Sequence, residues 1–163
     1  MIVVADTSVL LNLAFLRRDD LLVSLFGAVW IPEAVEREFI RLSASSGRFG
    51  GLKMPFCCQT KRISTVPPSL ATDPRLDPGE AEAIAMAIET KASAILLDES
   101  NGREAARALG FTIFGTLGLL ITAKQRGLLP EISSSLRRLI VDGQFRISAS
   151  LLREALTIAG ELE

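Results

Sequence analysis

Histidine and tyrosine are both missing from the 163 residues of this chain. Without histidine, Ser-His-Asp and Cys-His nucleophilic catalysis, histidine-pair cleavage of RNA and histidine-ligated zinc are all excluded. The only cysteines, Cys57 and Cys58, are adjacent. They cannot build a disulfide framework, and their surroundings supply no further ligands for a cysteine metal site. Long hydrophobic runs are missing too: hydrophobic residues make up 48% of the chain, yet charges break them well short of the ~20 residues that span a bilayer. Asp6 interrupts the N-terminal apolar stretch almost at once, which argues against a signal peptide; a soluble, cytoplasmic protein with no membrane contact is expected. No excess of one charge exists either. The net charge of −1 neither favours nor excludes a nucleic-acid partner. Chemistry near neutral pH is left to carboxylates, lysines, hydroxyls or a metal ion held by oxygen ligands.

The length suits one hydrophobic core, so residues 1–163 read as a single domain. Apolar runs at Ile2–Ala5 and Ala28–Ile31 each lead into a helical period. The first is followed by Val9–Leu16, the second by a helix opened by Pro32 and running to about Leu42. Ser43–Thr60, with its Ser, Gly and scattered basic residues, reads as a loop, and Ile63–Val66 as a short third strand. Asp77-Pro78-Gly79-Glu80 opens a helix to about Lys91, with Asp77 as N-cap, Pro78 at the first helical position and Glu80 completing a capping box. Ala94–Leu97 is the fourth strand, a helix follows through Leu109 with Gly110 as its stop, and Phe111–Phe114 is the fifth. Leu117–Arg126, Pro130–Val141 and Ser148–Ala159 are helical in period. The C-terminal helices, residues 130–160, are expected to pack on the domain or on a partner. Strands alternating with helices predict an α/β fold, a parallel sheet covered on both faces.

In such a sheet ligands bind beyond the carboxyl ends of the strands, where strand order reverses. Asp6 and Asp98 each directly follow a buried strand, and neighbouring strands would bring both carboxylates into one crevice; each is also well suited to a helix N-cap. Glu38 falls within the inward arc of Val35, Phe39 and Leu42, where a carboxylate is costly unless it binds metal or pairs with Arg37 or Arg41. Glu80 and Glu82 lie on different faces of their helix. Because Glu80 already has a role in the capping box, Glu82 is expected in the crevice and Glu80 ranks behind it. Glu99, beside Asp98, is a helix-dipole residue or an outer ligand. Together, Asp6, Glu38, Glu82 and Asp98 repel one another unless a cation lies between them, and hard oxygen ligands select Mg²⁺ or Mn²⁺. Such a site suits phosphodiester hydrolysis. Thr7, Ser8 and Thr116, at the same edge, are turn and cap residues or hold a ligand carboxylate or a phosphate oxygen. Arg48, Lys53, Lys61 and Arg62 are candidates for binding a phosphodiester backbone, which an acidic crevice alone would repel.

Five segments in order resemble the PIN-domain family, and more closely its VapC-type toxin branch. They are Val3-Val4-Ala5-Asp6-Thr7-Ser8, Ile31-Pro32-Glu33-Ala34-Val35 leading to Glu38, Leu76–Ala85, Leu96-Leu97-Asp98-Glu99 and Gly115–Leu120. The resemblance implies a three-layer α/β/α fold with a central parallel sheet of about five strands. It also implies Mg²⁺- or Mn²⁺-dependent endonuclease cleavage of RNA, homodimerisation and inhibition by a small antitoxin protein. It matches Asp6, Glu38, Glu82 and Asp98 to the four acidic positions, although the third is commonly Asp and the Glu pair leaves that assignment open. Three rivals stand beside it. An aspartyl-phosphate phosphatase wants a second Asp where Ser8 stands. A receiver-like domain wants an acidic pair after the first strand and a lysine after the last, where this chain has Gly115-Thr116-Leu117-Gly118. A non-catalytic PIN-fold protein-binding module would keep the fold and lose the metal.

Overall fold

The structure, a computed structural model, describes residues 1–162. Three short apolar segments, β1 (Val3–Ala5), β2 (Val29–Pro32) and β4 (Ala94–Leu96), form the middle of a parallel sheet, with β3 (Cys58–Lys61) and β5 (Ile113–Phe114) at its edges. The order is β3-β2-β1-β4-β5, and Val4 of β1 is in register with Trp30 on one side and Ile95 on the other. The chain builds outward from β1 to β3, then crosses back to place β4 on the other side of β1. The reversal therefore falls between β1 and β4, whose carboxyl ends carry Asp6 and Asp98.

Strand alternation divides the interior in two. Val3, Ala5, Val29, Ile31, Ala94 and Leu96 face one core. The helices α1 (Thr7–Phe15), α2 (Asp20–Phe26), α3 (Glu33–Ser43) and α7 (Thr116–Gln125) add to it through residues such as Leu10, Leu22, Phe39 and Leu119. Val4, Ile95 and Leu97 face a second core, covered by α4 (Pro68–Ala71), α5 (Pro78–Thr90) and α6 (Ser100–Ala108) through Leu70, Ile84, Met86 and Ala106. This is the expected three-layer α/β/α arrangement. Leu10 and Leu119 are fully buried, and truncating either to Ala would cost about 2–5 kcal/mol.

The helices α8 (Ser133–Val141) and α9 (Ala149–Ile158) add Leu136, Leu139 and, just past α9, Ala159 to the first core. Glu161 fastens them. Its carboxylate accepts from the Ile132 and Ser133 amides at 2.8 and 3.0 Å and from the Lys124 ammonium at 3.0 Å. Among the described residues no helix is long and apolar enough to cross a membrane.

The third strand lies at Cys58–Lys61, not at Ile63–Val66. As an edge strand it exposes Gln59, Thr60 and Lys61, so no apolar pattern marks it; Ile63 and Val66 instead pack on the second core without pairing. The short helices α2 and α4 were not legible either. By contrast, α5 starts where expected: Asp77 Oδ1 accepts from the Glu80 amide at 2.7 Å while Glu80 Oε1 accepts from the Asp77 amide at 3.1 Å.

Candidate active site

Asp6 stands at the end of β1, its amide donating to Leu96 O of β4 at 2.9 Å, and it is only 2% exposed. It occupies the N-cap position of α1 yet makes no side-chain capping bond, and its Oδ1 is buried without a hydrogen-bond partner. The capping explanation for this aspartate is therefore not the one the fold uses. Buried Thr7 follows it.

The first turn of α5 presses against Asp6. A Cβ on Gly79 would stand 3.2 Å from Asp6 Oδ1, 3.2 Å from Glu38 Oε2 and 3.4 Å from Asp77 Oδ1. Glycine is what lets three carboxylates crowd this turn. Glu80 follows, 4% exposed. Its Oε1 completes the capping box, but its Oε2 is buried without a partner. Burial drives the Asp6 carboxyl well above its usual range, and the charges of Asp77, Glu80 and Glu38 push the same way. Glu38 is raised by burial and by Asp77. Burial likewise lifts Glu80 to about 7, with the charges of Asp77 and Glu99 adding to it.

Asp98 is treated differently. Thr116 donates to it twice, from the amide to Oδ1 at 2.7 Å and from the hydroxyl to Oδ2 at 2.6 Å, and Asn12 Nδ2 donates to Oδ2 at 3.0 Å. With donors on both oxygens, its carboxylate is held in one orientation. Glu38, Asp98 and Glu99, together with Ser8 and Arg48, line a cavity of about 680 Å³. Asp6 and Glu80 are buried outside its lining.

Glu82 lies elsewhere. It borders a second cleft of about 290 Å³ with Glu33, Arg37 and Arg62, and its Oε2 is 3.9 Å from Arg37 Nη2. Arg62 pairs with Glu33 at 3.3 Å, Lys61 lies 5.2 Å from the Trp30 ring centroid, and exposed Lys53 borders neither space. The structure thus gathers Asp6, Glu38 and Asp77 around Gly79, with Glu80 next along the turn and its Oε2 beside Gly102 of α6; it sets Asp98, Glu99, Ser8 and Arg48 on the adjoining cavity with Thr116 behind Asp98, and sends Glu82, Lys61 and Arg62 to another side. Sequence reasoning passed over Asn12, Asp77 and Gly79 as site residues. Asn12 had a signal, a lone amide inside the apolar run Val9–Leu16.

Among the described residues no three acidic, histidine or cysteine side chains already stand at the spacing of a coordination shell. The donor set nevertheless fits a hard divalent cation: two buried carboxylate oxygens are without partners, Asp6 Oδ1 beside Gly79 and Glu80 Oε2 beside Gly102. A PIN-domain family model matches residues 2–161. The chain belongs to the PIN-domain family. PIN domains are typically nucleases and generally use divalent metal ions. No curated protein matches the chain.

Proposed function

We propose that this PIN-domain protein is an endoribonuclease that hydrolyses RNA phosphodiester bonds with Mg²⁺ or Mn²⁺. Asp6, Glu38, Glu80 and Asp98 would hold the cation, with Glu99 next to them; in this reading Glu80 takes the place that the sequence alone favoured for Glu82. The observation that carries it is that Asp6 and Glu80, whose charges act on each other, each keep one buried oxygen without a partner, Asp6 Oδ1 beside Gly79 and Glu80 Oε2 beside Gly102. Carboxylates are not left in that condition for stability, since each unpartnered buried polar group costs about 1–3 kcal/mol. When bound, the cation supplies Lewis-acid activation of water and neutralises charge at the phosphate. Thr116 and Asn12 hold Asp98 in place, and Ser8, on the cavity wall, is positioned to donate to a phosphate oxygen. The resemblance to VapC-type sequences supports a cytoplasmic toxin that acts as a homodimer and is silenced by a small antitoxin protein. Growth arrest on expression, relieved by the cognate antitoxin, tests that role.

Cleavage should stop with EDTA, return with Mn²⁺ or Mg²⁺, and leave 5′-phosphate ends; 2′,3′-cyclic phosphate products would mean that the ribose hydroxyl attacks. Asp6→Asn should lower cleavage by more than about 100-fold while the metal-free fold is kept or slightly stabilised, because one buried like charge is removed. Wild-type activity in purified Asp6→Asn would sink this reading. The spread of the acids favours a second reading, a non-catalytic PIN-fold module, and thermal unfolding separates the two: saturating Mn²⁺, at about 100 times its Kd, stabilises a true site by about 2.7 kcal/mol.

A further inference from the structure

Cys57 and Cys58 stand at the amino end of β3, where Cys58 lies opposite Val29 of β2. That is the end of the sheet away from Asp6 and Asp98, so the acidic site makes no use of them. Consecutive residues inside a strand point to opposite faces, yet these two share one. Cys57 lies outside the strand, in a turn closed by the Cys58 amide, which donates to Pro55 O at 3.0 Å. Both side chains accordingly pack against the first core. The backbone between them is held as well, since Cys57 O accepts from the Val29 amide at 3.2 Å. Phe56, one residue earlier, is 90% exposed, so the turn faces solvent. Both cysteines are free and half-buried, within reach of a small reagent.

The two thiols are not equivalent. Hydrogen bonding from the Cys58 thiol holds Cys57 below the usual thiol range, and the same contact, together with burial, pushes Cys58 up. The charge of Asp19 acts against ionisation of both. Because the thiolate is the nucleophile, Cys57 is the member that attacks, and Cys58 waits protonated at its side. Thiols that served only as small core residues would be inert and interchangeable. A reachable thiol with a second thiol beside it is what an oxidant converts first to a sulfenic acid and then to a disulfide. Neighbouring Cα atoms are about 3.8 Å apart, short of the roughly 4.4–6.8 Å usual for a disulfide. A bond closed here is strained, and strain makes it easily reduced again.

We propose that Cys57 and Cys58 form a modification site for hydroperoxides, reversibly oxidised to a disulfide between neighbouring residues. The Cys57 sulfur attacks one peroxide oxygen and the O–O bond breaks. The thiol proton leaves with the departing oxygen as water or an alcohol, and Cys57 becomes a sulfenic acid. The Cys58 sulfur then attacks the Cys57 sulfur: the S–S bond forms, the S–O bond breaks, and the hydroxyl leaves with the Cys58 proton as water. Two electrons pass from the thiols to the peroxide. Hydrogen peroxide added to the full chain tests this, read by intact mass and by titration of free thiols. The expected product is a monomeric chain lighter by two hydrogens, with both thiols gone and both restored by dithiothreitol. Cys58→Ser, whose hydroxyl still donates to Cys57, should stop at a sulfenic acid that dimedone traps. Cys57→Ser should react roughly tenfold more slowly than Cys58→Ser. In denaturing urea the two variants should react alike, because the difference between the thiols comes from the fold. A folded chain that keeps both thiols at a peroxide level that oxidises the urea-unfolded chain overturns the site, as does loss of thiols only into intermolecular disulfides. Equal rates in the two folded variants overturn the roles given to Cys57 and Cys58.

Discussion

Glu80 and Glu82, two residues apart on α5, face opposite electrostatic conditions. Glu80 is buried next to Asp6 and Asp77 with one oxygen unpartnered, and it is lifted to about 7. Glu82, its side chain 22% exposed, faces Arg37 in a cleft where Glu33 is also paired, with Arg62. In the second cleft each acid has its base. In the first, the acids crowd one another and the arginines of the adjoining cavity stay apart from them. Repulsion neutralised within the chain calls for no ion; repulsion left standing favours a cation or a proton.

Breaking that contrast starts with Glu80→Gln. Glutamine still completes the capping box, so the fold should hold, while Mn²⁺-dependent cleavage should drop by about 100-fold or more. A fully active Glu80→Gln enzyme would erase the distinction between the two glutamates. Gly79→Ala comes next, because its Cβ would stand 3.2 Å from oxygens of both Asp6 and Glu38 and push them apart; a loss of roughly tenfold in Mn²⁺ affinity is expected by calorimetry.

The pH dependence sharpens the same point. Glu80 ionises at about 7 in the fold against an ordinary 4.5, so the folded chain holds this proton more tightly than the unfolded one. The stability linked to it is fully present below 4.5 and is lost as pH rises through about 7. Asp6 and Glu38, also raised, act in the same direction. In EDTA, thermal unfolding should therefore come earlier at pH 8 than at pH 5.5, and Mn²⁺ should narrow the gap. A metal-free protein that gains stability over this interval would contradict the crowding. The smallest effect belongs to Glu82→Gln: less than about threefold in cleavage and under about 1 kcal/mol in stability, as for other partly exposed ion pairs.

Much was legible in the sequence. Strand and helix periodicity predicted a parallel sheet covered on both faces, which the fold has; Asp6 and Asp98 stand just past β1 and β4 as read, and Glu38 is half-buried on α3. The capping signature placed the start of α5 correctly. It also set Glu80 behind Glu82 as a candidate, yet one carboxylate has two oxygens: capping occupies Oε1 of Glu80 and leaves Oε2 buried without a partner. A sequence pattern assigns a residue one role, whereas geometry assigns roles to atoms.

By itself, then, the sequence determined what depends on local order along the chain: the buried strands, the helix starts, and an acid at the end of each central strand. Tertiary structure alone decided what depends on which segments meet. It placed β3 by pairing with β2 rather than by apolar pattern, set Asn12 and Thr116 on Asp98, and joined Arg48 to Gln144 across 96 residues. The physical reason lies in range. Backbone propensity and side-chain periodicity act over a few residues, but burial of a carboxylate, and the charge it meets there, are set by elements that arrive from elsewhere in the chain.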